Sequence, residues 1–428
     1  MYGMLNMQYM IKYKIDLHKN KQSSDGTILG KVYEFQKQLK EHESLQLNIL
    51  TKSPTISACD RTVRVLDKYS QKVIEALMFG SNNYLGAVMH KCAINRAIEV
   101  TKSYGIGAGG VPLLTGTNIL QNQLEAIIAK AKGCDDSILF SSGFTANIGA
   151  IIGLIRPNNL IIHDKLNHAS LIDGSLMSGA KMVRYKHNDP ASLEKVLSEN
   201  YKQYPGGILV ITDGVFSMDG DIAKLPEIME IANKYNTLLL IDDAHATGVI
   251  GEKGKGSLSH FNITDRKNII ITGTLSKAIG AVGGFIAADR EIINYLRLFA
   301  RSNMYSTALP PAVCASAIEV FKYIEESDVV ETLKYNSNYM RDKLAAKGYN
   351  ILGSQTSIIP IICKDEYMLT SISKEFLDRG IITNYIFPPV VSPGKSRIRV
   401  SIMATHKIED IDYFISALDE IDKKYKLR

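Results

Sequence analysis

The chain has 428 residues, of which 45% are hydrophobic, and its formal net charge at pH 7 is +6. A chain of this size and composition can bury a large core, and we expect it to form two domains. Because 50 basic residues stand against 44 acidic ones, the charge is too mild to indicate a nucleic-acid-binding protein.

Cysteine spacing and hydropathy narrow the class of protein further. The five cysteines show no CxxC or zinc-type pairing, so we expect reduced thiols, no metal site and a cytoplasmic protein. No apolar run reaches about 18 residues, and the first residues contain no compact apolar segment. We therefore expect neither a membrane span nor a signal peptide.

Residues 1–75 form an N-terminal segment in our interpretation. Its first part, to about residue 45, is polar and rich in lysine. Within it, Val32, Phe35 and Leu39 give a broken apolar stripe that predicts a helix over Gly30 to Glu43. We expect an arm that packs on a neighbouring surface, and a basic patch facing a membrane or a carrier protein is the alternative.

Two turn-rich segments come next. Residues 78–86 are predicted to form a short strand that enters a polar turn, where Asn82 and Asn83 are typical of turn chemistry. Residues 104–117 contain five glycines in fourteen residues, which is typical of backbone that approaches another group closely. A helix follows with apolar residues at helical spacing, and Gly133 marks its end.

Strands and helices then alternate through the middle of the chain. Apolar strands separated by helical segments indicate a mainly parallel sheet that is covered by helices on both faces. The predicted strands are 137–140, 159–163, 182–185, 207–212, 237–242, 268–273 and 283–287, with helices at segments such as 190–201 and 226–235. After residue 304 the pattern becomes a smaller α+β unit with strands at 358–362 and 397–402. We therefore predict an α/β protein with a large domain at 76–304 and a small C-terminal domain at 305–428.

Polar segments follow several of the predicted strands. On open parallel sheets, ligands bind at the carboxyl ends of the strands. The polar segments at these ends are 141–145, 163–168, 213–219, 242–245 and 274–277. Together they predict a ligand site along one edge of the sheet.

Lys277 lies between an apolar strand and a run of glycine and alanine. Burying an ammonium group is unfavourable, so a lysine in this place needs a reason. A desolvated lysine has a lowered pKa and can form a Schiff base with an aldehyde cofactor. A surface lysine in a glycine-rich turn is the alternative.

Ser142, Gly143 and Phe144 follow one strand and open the next helix. Free backbone N–H groups and the positive end of that helix would face an anion there. Ser142 is equally suited to be an ordinary N-cap.

Other residues at the strand ends also have two interpretations each. Asp242 ends the most apolar strand and suits a protonated pyridine nitrogen, whereas a helix cap or a structural ion pair is the alternative. His245 could contact a ligand or be a satisfied loop histidine. His168 could stack on a flat ring or simply pack, and Ser217 with Asp219 could form only a turn. The order of an anion cradle, a histidine, an aspartate and then a lysine makes the set specific.

Seven motifs occur in order along the chain from about Leu77 to its end. They are SNNYLG, FSSGFTAN, LNHASLIDG, TDGVFSMDGD, IDDAHATGVIG, GTLSKAIGAVGGF and SRIRVSIMATH. In these motifs the sequence resembles the α-oxoamine synthase family of pyridoxal-phosphate enzymes, which have fold type I. Its members include serine palmitoyltransferase, 8-amino-7-oxononanoate synthase, 5-aminolevulinate synthase and 2-amino-3-ketobutyrate CoA ligase. The loops near residue 78 and at 390–394 look most like those of bacterial serine palmitoyltransferases.

The resemblance implies a role for each candidate residue around pyridoxal 5'-phosphate (PLP). Lys277 would hold the cofactor as a Schiff base, Asp242 would pair with its ring nitrogen, His245 would bond its phenolic oxygen and His168 would stack on its ring. The remaining binding residues implied are Ser142, Gly143, Phe144 and Thr274 for phosphate, Ser306 and Thr307 for the phosphate of a second subunit, Ser217 for orientation of the cofactor, and Asn82 and Arg399 for the amino-acid carboxylate. We therefore expect a homodimer.

By the same resemblance the protein is expected to condense an amino acid with an acyl-CoA or acyl-carrier-protein thioester, with loss of carbon dioxide, to an α-aminoketone. An aminotransferase or an aldol-type lyase on the same fold is the alternative. The complete set of Lys277, Asp242, His245 and Arg399 argues against a binding protein without turnover. Two departures favour an apolar acyl chain. Pro112 stands where relatives carry arginine in the glycine-rich loop, and Phe387 stands where oxononanoate synthases carry arginine.

Overall fold

A seven-stranded sheet lies at the centre of the molecule in this computed structural model, which describes residues 26–44, 53–363, 365, 368–388 and 390–428. The strands are β3 Asp136–Phe140, β4 Leu160–Asp164, β5 Lys181–Tyr185, β6 Ile208–Asp213, β7 Leu238–Asp242, β8 Ile269–Thr274 and β9 Gly284–Ala288. Their spatial order is β3-β9-β8-β7-β6-β4-β5. All seven predicted strands are confirmed, and each observed end lies within one residue of the predicted one.

The sheet is mainly parallel, as predicted, with one exception. Strands β5, β4, β6, β7 and β8 pair in parallel, whereas β9 runs antiparallel to both β8 and β3. The reason is the connection between β8 and β9, residues 275–283, which contains no helix. Parallel neighbours need a crossover of roughly a dozen or more residues, so this short connection returns the chain in the opposite direction.

Alternation along the strands fills a separate core on each face of the sheet. Ile211 and Leu240 pack into one core, while Val210 and Ile241 pack into the other. All four are fully buried, and burying one such side chain contributes about 1.5–3 kcal/mol. The period of two in strands with both faces covered explains why these segments are continuously apolar.

Helices cover both faces of this sheet. In chain order the helices are α1 Ile28–Ser44, α2 Lys91–Tyr104, α3 Ile119–Lys132, α4 Gly143–Leu154, α5 Ala169–Ser178, α6 Pro190–Asn200, α7 Leu225–Lys234, α8 Ser257–His260, α9 Arg290–Phe299, α10 Arg301–Met304, α11 Pro311–Glu326, α12 Val329–Ala346, α13 Met368–Asp378 and α14 Ile408–Tyr425. The predicted helices at 30–43, 190–201 and 226–235 correspond to α1, α6 and α7. Helix α11 packs along α2 and α3.

The C-terminal part contains a smaller antiparallel sheet. Its strands are β10 Ile358–Ile362, β12 Asn384–Ile386 and β13 Arg397–Ser401, and β13 lies in the middle. Two of these strands were predicted, at 358–362 and 397–402. The short β12 was not predicted, because three residues give too little pattern.

A third sheet joins two segments that lie about three hundred residues apart in the chain. It contains β1 Thr62–Leu66 and β2 Val73–Met78, which form a hairpin, and β11 Ile381–Ile382, which pairs in parallel with β2. Part of the N-terminal segment therefore packs with the C-terminal unit. The division at residues 75 and 304 stays a proposal, and the lysine-rich stretches at 1–25 and 45–52 lie outside the described residues. In the part of the chain that the structure describes, no helix is both long and apolar enough to cross a bilayer.

Candidate active site

The predicted ligand site lies where β6, β7 and β8 end side by side. In the parallel register Asp213 is the Cα partner of Asp242, and Asp242 is the partner of Thr272. Two carboxylates therefore stand at neighbouring strand ends. Both are nearly fully buried, at 4% exposure for Asp213 and 5% for Asp242.

The Asp242 carboxylate is held in one orientation. Its Oδ2 accepts a hydrogen bond from Asn147 Nδ2 at 2.7 Å, and its Oδ1 accepts one from the backbone N–H of Ala244 at 2.9 Å. The negative charge of Asp242 adds to burial in raising the pKa of Asp213 well above its ordinary value. The strand end thus has an oriented anion beside a carboxyl group that is held toward its neutral form.

Asp243 has different surroundings from the adjacent Asp242. Its Oδ2 lies 2.8 Å from Lys132 Nζ, and both side chains are 2% exposed. Lys132 Nζ also donates to Thr247 Oγ1 at 2.8 Å and to the Lys255 carbonyl at 2.9 Å. The Ser257 hydroxyl donates to the other carboxylate oxygen. Asp243 is therefore satisfied by protein groups, whereas Asp242 forms no ion pair with another described residue, and its predicted contact with a ligand stays a prediction.

His168 is exposed where the site opens. Its Nδ1 lies 2.7 Å from Ser170 Oγ, and Asn147 Nδ2 donates to the same Ser170 Oγ at 2.8 Å. Because Asn147 also bonds Asp242, the two predicted residues are connected through Ser170 and Asn147. This connection fixes the imidazole at the start of α5, and its predicted stacking on a ring stays a prediction.

His245 is buried on the other side of the strand ends, at 7% exposure. Burial lowers its pKa well below the ordinary value, and the nearby cations Lys277 and Arg399 lower it further. Its Nδ1 lies 2.8 Å from the Tyr84 hydroxyl. The neutral imidazole is therefore the stable form.

Lys277 follows β8 and is half-buried. Burial lowers its pKa to about 8, with Arg399 acting in the same direction and Asp242 and Asp213 opposing. A sharp turn follows the lysine. Gly280 has a φ of +69°, and a Cβ there would lie 2.7 Å from the backbone nitrogen of Val88, so this turn requires glycine.

The start of α4 lies beside the end of β8. Ser142 is the N-cap, since its Oγ accepts from the Thr145 N–H at 3.1 Å, and the N-cap interpretation of its side chain therefore holds. The N–H groups of Gly143 and Phe144 precede the first intrahelical bond, and neither donates to another of the described residues. A Cβ on Gly143 would lie 3.0 Å from Thr274 Cβ, so the helix end and Thr274 are in close contact.

Arg399 joins three distant segments at the site. Its Nε donates to the Ser217 carbonyl at 2.6 Å, and both of its terminal nitrogens lie 3.3 Å from Asn82 Oδ1. The residue is 4% exposed. Asn82 and Arg399 are thus brought together as predicted. Ser217 contributes its backbone carbonyl to the position of Arg399.

Ser306 and Thr307 lie away from these strand ends. Ser306 is half-buried and Thr307 is exposed, and both line a narrow crevice with Pro112 and Ser141. Within the described part of this chain, neither hydroxyl makes a hydrogen bond. Their predicted function in a second subunit stays a prediction.

Several residues of the site were quoted within motifs but given no role. Asp213 is the last residue of β6, as Asp242 is of β7, so the rule that ligands bind at the carboxyl ends of strands is sufficient to find it. Ser276, whose Oγ lies 2.8 Å from Thr274 Oγ1, stands one residue before Lys277. Tyr84 and Asn147 gave no such signal, because their importance comes from contacts with residues far along the chain.

These groups fit PLP. A buried, oriented carboxylate suits a protonated ring nitrogen, and two free amides at a helix start suit a phosphate. A lysine with a pKa near 8 has a neutral fraction that can attack an aldehyde. The helix start is closely packed at Gly143, where a Cβ would lie 3.0 Å from Thr274 Cβ, so a larger residue would displace this neighbour.

Comparison with known proteins gives a consistent result. Residues 74–418 match the family described as aminotransferase class I and II. The chain is 42% identical over 354 residues to 8-amino-7-oxononanoate synthase of Thermoanaerobacter pseudethanolicus, covering 82% of this chain and 89% of that protein. Among solved structures, serine palmitoyltransferase from S. paucimobilis with bound PLP–myriocin is similar with a TM-score of 0.85 at 26% identity, covering 93% of this chain and 99% of that one. The 8-amino-7-oxononanoate synthase of Francisella tularensis has a TM-score of 0.71 at 27% identity, covering 82% and 99%.

The match spans the large sheet, the C-terminal unit and every motif on which the resemblance rested. The PLP-dependent fold of type I is confirmed, and the alternative of an aminotransferase or lyase is not favoured. The chain belongs to the aminotransferase class I and II family and, within it, to the α-oxoamine synthases, PLP-dependent acyltransferases that condense an amino acid with an acyl thioester.

Proposed function

We propose that this protein joins a small α-amino acid to an acyl thioester with an apolar chain, and that Lys277, Asp242, His245 and Arg399 are its central site residues. The observation that carries this proposal is the meeting of these four side chains, from separate segments, at the carboxyl edge of the sheet. When bound, PLP would supply an electron sink for negative charge on the α-carbon of the amino acid.

Each residue supports the reaction in its own way. Arg399 and Asn82 would bind the carboxylate of the amino acid, since a guanidinium is suited to that geometry. Lys277, with a pKa near 8, would move the α-proton. Asp242 would keep the ring nitrogen protonated, and His168 would cover the ring. Ser142, Gly143, Phe144 and Thr274 would surround the phosphate, while Ser217 would help to orient the cofactor.

The acyl chain is the finer part of the proposal. Phe387 follows β12 and packs against the large hydrophobic core, and Pro112 lines the crevice beside Ser306. Neither position offers a cation to a carboxylate at the far end of an acyl chain. An unpaired, desolvated charge is strongly unfavourable there, whereas each buried methylene contributes about 0.8 kcal/mol.

A second candidate is favoured by the relatives. The name 8-amino-7-oxononanoate describes an aminoketone that ends in a carboxylate, which corresponds to alanine and a seven-carbon diacid thioester. Competition between palmitoyl-CoA and pimeloyl-CoA at equal concentration separates the two candidates. We expect the palmitoyl donor to be consumed first. Phe387→Arg should shift consumption toward pimeloyl-CoA, and Phe387→Leu, which stays apolar, should not. Preference for pimeloyl-CoA in the unaltered protein would favour the second candidate.

We also propose a homodimer in which Ser306 and Thr307 reach the phosphate site of the other subunit. Large apolar side chains are exposed around the glycine-rich loop and the site, including Ile106 at 90%, Leu114 at 77% and Tyr305 at 66%. Patches of this kind mark interaction surfaces. A mass measurement that finds an active monomer would contradict this proposal. The five free cysteines support a cytoplasmic location.

The amino-acid substrate can be identified by a direct experiment. Exchange of the α-proton with deuterated solvent should be measured for a panel of amino acids, followed by consumption of an acyl thioester and release of carbon dioxide. We expect exchange with a small amino acid and thioester consumption that depends on it. Exchange with formation of a stable pyridoxamine form would instead indicate an aminotransferase.

A further inference from the structure

Tyr84 lies between two residues that the proposed function uses separately. Its hydroxyl is 2.8 Å from His245 Nδ1 and 3.2 Å from Asn82 Oδ1, and Arg399 Nη2 donates to it at 3.4 Å. The side chain is fully buried, and the two rings meet edge to face with centroids 6.1 Å apart. The tyrosine thus connects the carboxylate-binding arginine to the histidine beside the cofactor site.

The single hydroxyl proton of Tyr84 has two acceptors within reach. Asn82 Oδ1 already accepts from both terminal nitrogens of Arg399 and is the more distant of the two. The shorter contact is to His245 Nδ1, which favours donation to that nitrogen. Because a neutral imidazole carries one proton, Nε2 must then be the protonated nitrogen. Among the described residues, none accepts a hydrogen bond from Nε2.

We propose that Tyr84 is a positioning residue that holds His245 as the tautomer with its proton on Nε2, directed toward the phenolic oxygen of the cofactor. This inference rests on the proposed site for PLP. Tyr84 itself touches neither substrate nor cofactor in this assignment, and it acts through His245. Among the described residues, the charged and titratable groups that act on His245 are Tyr84 itself, Lys277, Arg399 and His168.

Through Tyr84, binding of the substrate carboxylate at Arg399 is also coupled to the hydrogen bond at His245 Nδ1. Donation by Arg399 makes the Tyr84 hydroxyl a better proton donor to Nδ1, since hydrogen bonds in a chain polarise one another. A substrate carboxylate on Arg399 competes for the same N–H group and weakens that polarisation. Occupation of the carboxylate site therefore alters the hydrogen bond at the cofactor oxygen without movement of the backbone.

The test compares Tyr84→Phe with the unaltered protein by three readouts. These are the pH midpoint of the visible absorbance of the bound cofactor, the dissociation constant of PLP, and kcat and KM for the amino acid. Without the Tyr84 hydroxyl, the Nε2 proton of His245 is no longer held toward the phenolic oxygen of the cofactor. Loss of this donor makes the anionic oxygen more basic, so we expect the midpoint to rise by about one pH unit. We also expect several-fold weaker binding of PLP and a fall in kcat larger than any change in KM.

Two further variants make the result specific. Tyr349→Phe removes a buried tyrosine hydroxyl bonded to Asp419 in the C-terminal part, and it should leave the midpoint unchanged. In the background of His245→Asn, adding Tyr84→Phe should move the midpoint no further. A midpoint that Tyr84→Phe leaves unchanged, or the same added shift in both backgrounds, would overturn the inference. An unaltered protein with no cofactor band would overturn the site itself as well.

Discussion

Two buried carboxylates one residue apart have opposite surroundings. The region around Asp243 is complete in the sense that its charges are paired and hydrogen-bonded within the chain. Lys132 and the Ser257 hydroxyl bond the carboxylate, and Thr247 accepts from Lys132. The region around Asp242 is open. It contains Asp213 at the next strand end and Lys277 nearby, yet no ion pair joins these groups within the described part of the chain.

The difference separates two uses of buried charge. An ion pair that is satisfied inside the protein constrains the fold, and removing one partner leaves an unpaired charge. Charges that stay unpaired are stabilised by what binds between them. We therefore expect changes in the first region to affect unfolding and changes in the second region to affect the cofactor.

The largest effect is expected for Lys277→Ala in the open region. This change removes covalent attachment of PLP and a proton carrier together, so turnover should fall by several orders of magnitude. Absorbance of the purified protein should lose the visible band of the linked cofactor, and a turnover assay measures the rest. A variant that keeps the same band and linkage would disprove the assignment of Lys277.

The next effect contrasts the two regions directly. Lys132→Met leaves Asp243 buried and unpaired, and we expect the free energy of unfolding to fall by about 3–5 kcal/mol in urea titrations. Asp242→Asn should instead weaken PLP binding and turnover, because a neutral amide cannot stabilise a protonated ring nitrogen. The double variant Lys132→Met/Asp243→Leu removes both charges and should recover most of the lost stability. Near-normal turnover in Asp242→Asn would mean that Asp242 does not carry the assigned role.

His406 is another buried group whose bonds are complete. Its Nδ1 accepts from the Met403 N–H at 3.1 Å, and its Nε2 lies 3.1 Å from the Met78 carbonyl. Burial lowers its pKa from 6.5 to about 4. The unfolded chain therefore binds a proton below pH 6.5 that the folded protein excludes until about pH 4, so stability present above pH 6.5 is lost as the pH falls through this window. The loss is on the order of 3 kcal/mol.

Urea unfolding at several pH values between 7 and 4 measures this loss. His406→Gln keeps a donor and an acceptor but does not titrate, so its pH dependence should be smaller by the same amount. Equal slopes for the two proteins would show that other groups dominate the acid dependence.

The smallest effect concerns the capture of PLP by the cofactor-free protein. Only the neutral amine of Lys277 attacks an aldehyde, so the rate should rise about tenfold per pH unit below pH 8 and level off above it. The rate of appearance of the visible band after mixing measures this. Asp242 raises the pKa of Lys277, so Asp242→Asn should move the midpoint to lower pH. A midpoint near 10 would contradict the burial of this lysine.

The residues around Asp242 could be predicted from the sequence, whereas the ion pair and hydrogen bonds of Asp243 could not. Lys277 and the start of α4 follow apolar strands and Asp242 ends one, and parallel topology places such ends together. Lys132 stands at the end of a helix, where a lysine is favourable even when exposed. Its pairing with a residue 111 positions later has no local pattern.

The large sheet was also predictable, since each strand carries its own continuous apolar run. The third sheet was not, because β11 has only two residues and pairs with β2 across three hundred positions of chain. Tyr84 shows the same limit at the site. Its neighbours in sequence predict a turn, and its function comes from His245 and Arg399.

The pairing of β2 with β11 across about three hundred residues has a consequence for synthesis of the protein. The hairpin β1–β2 is synthesised about three hundred residues before its third strand, which is made only when residue 382 appears. Asp410, the ion-pair partner of Arg61, is synthesised later still, and so is Arg399, the hydrogen-bond partner of Asn82. Contacts between such distant residues form slowly because a long loop must close. A nascent chain that stops before residue 399 therefore carries Lys277 and Asp242 but lacks Arg399, to which we assign the amino-acid carboxylate, so the proposed substrate site stays incomplete until that residue is made.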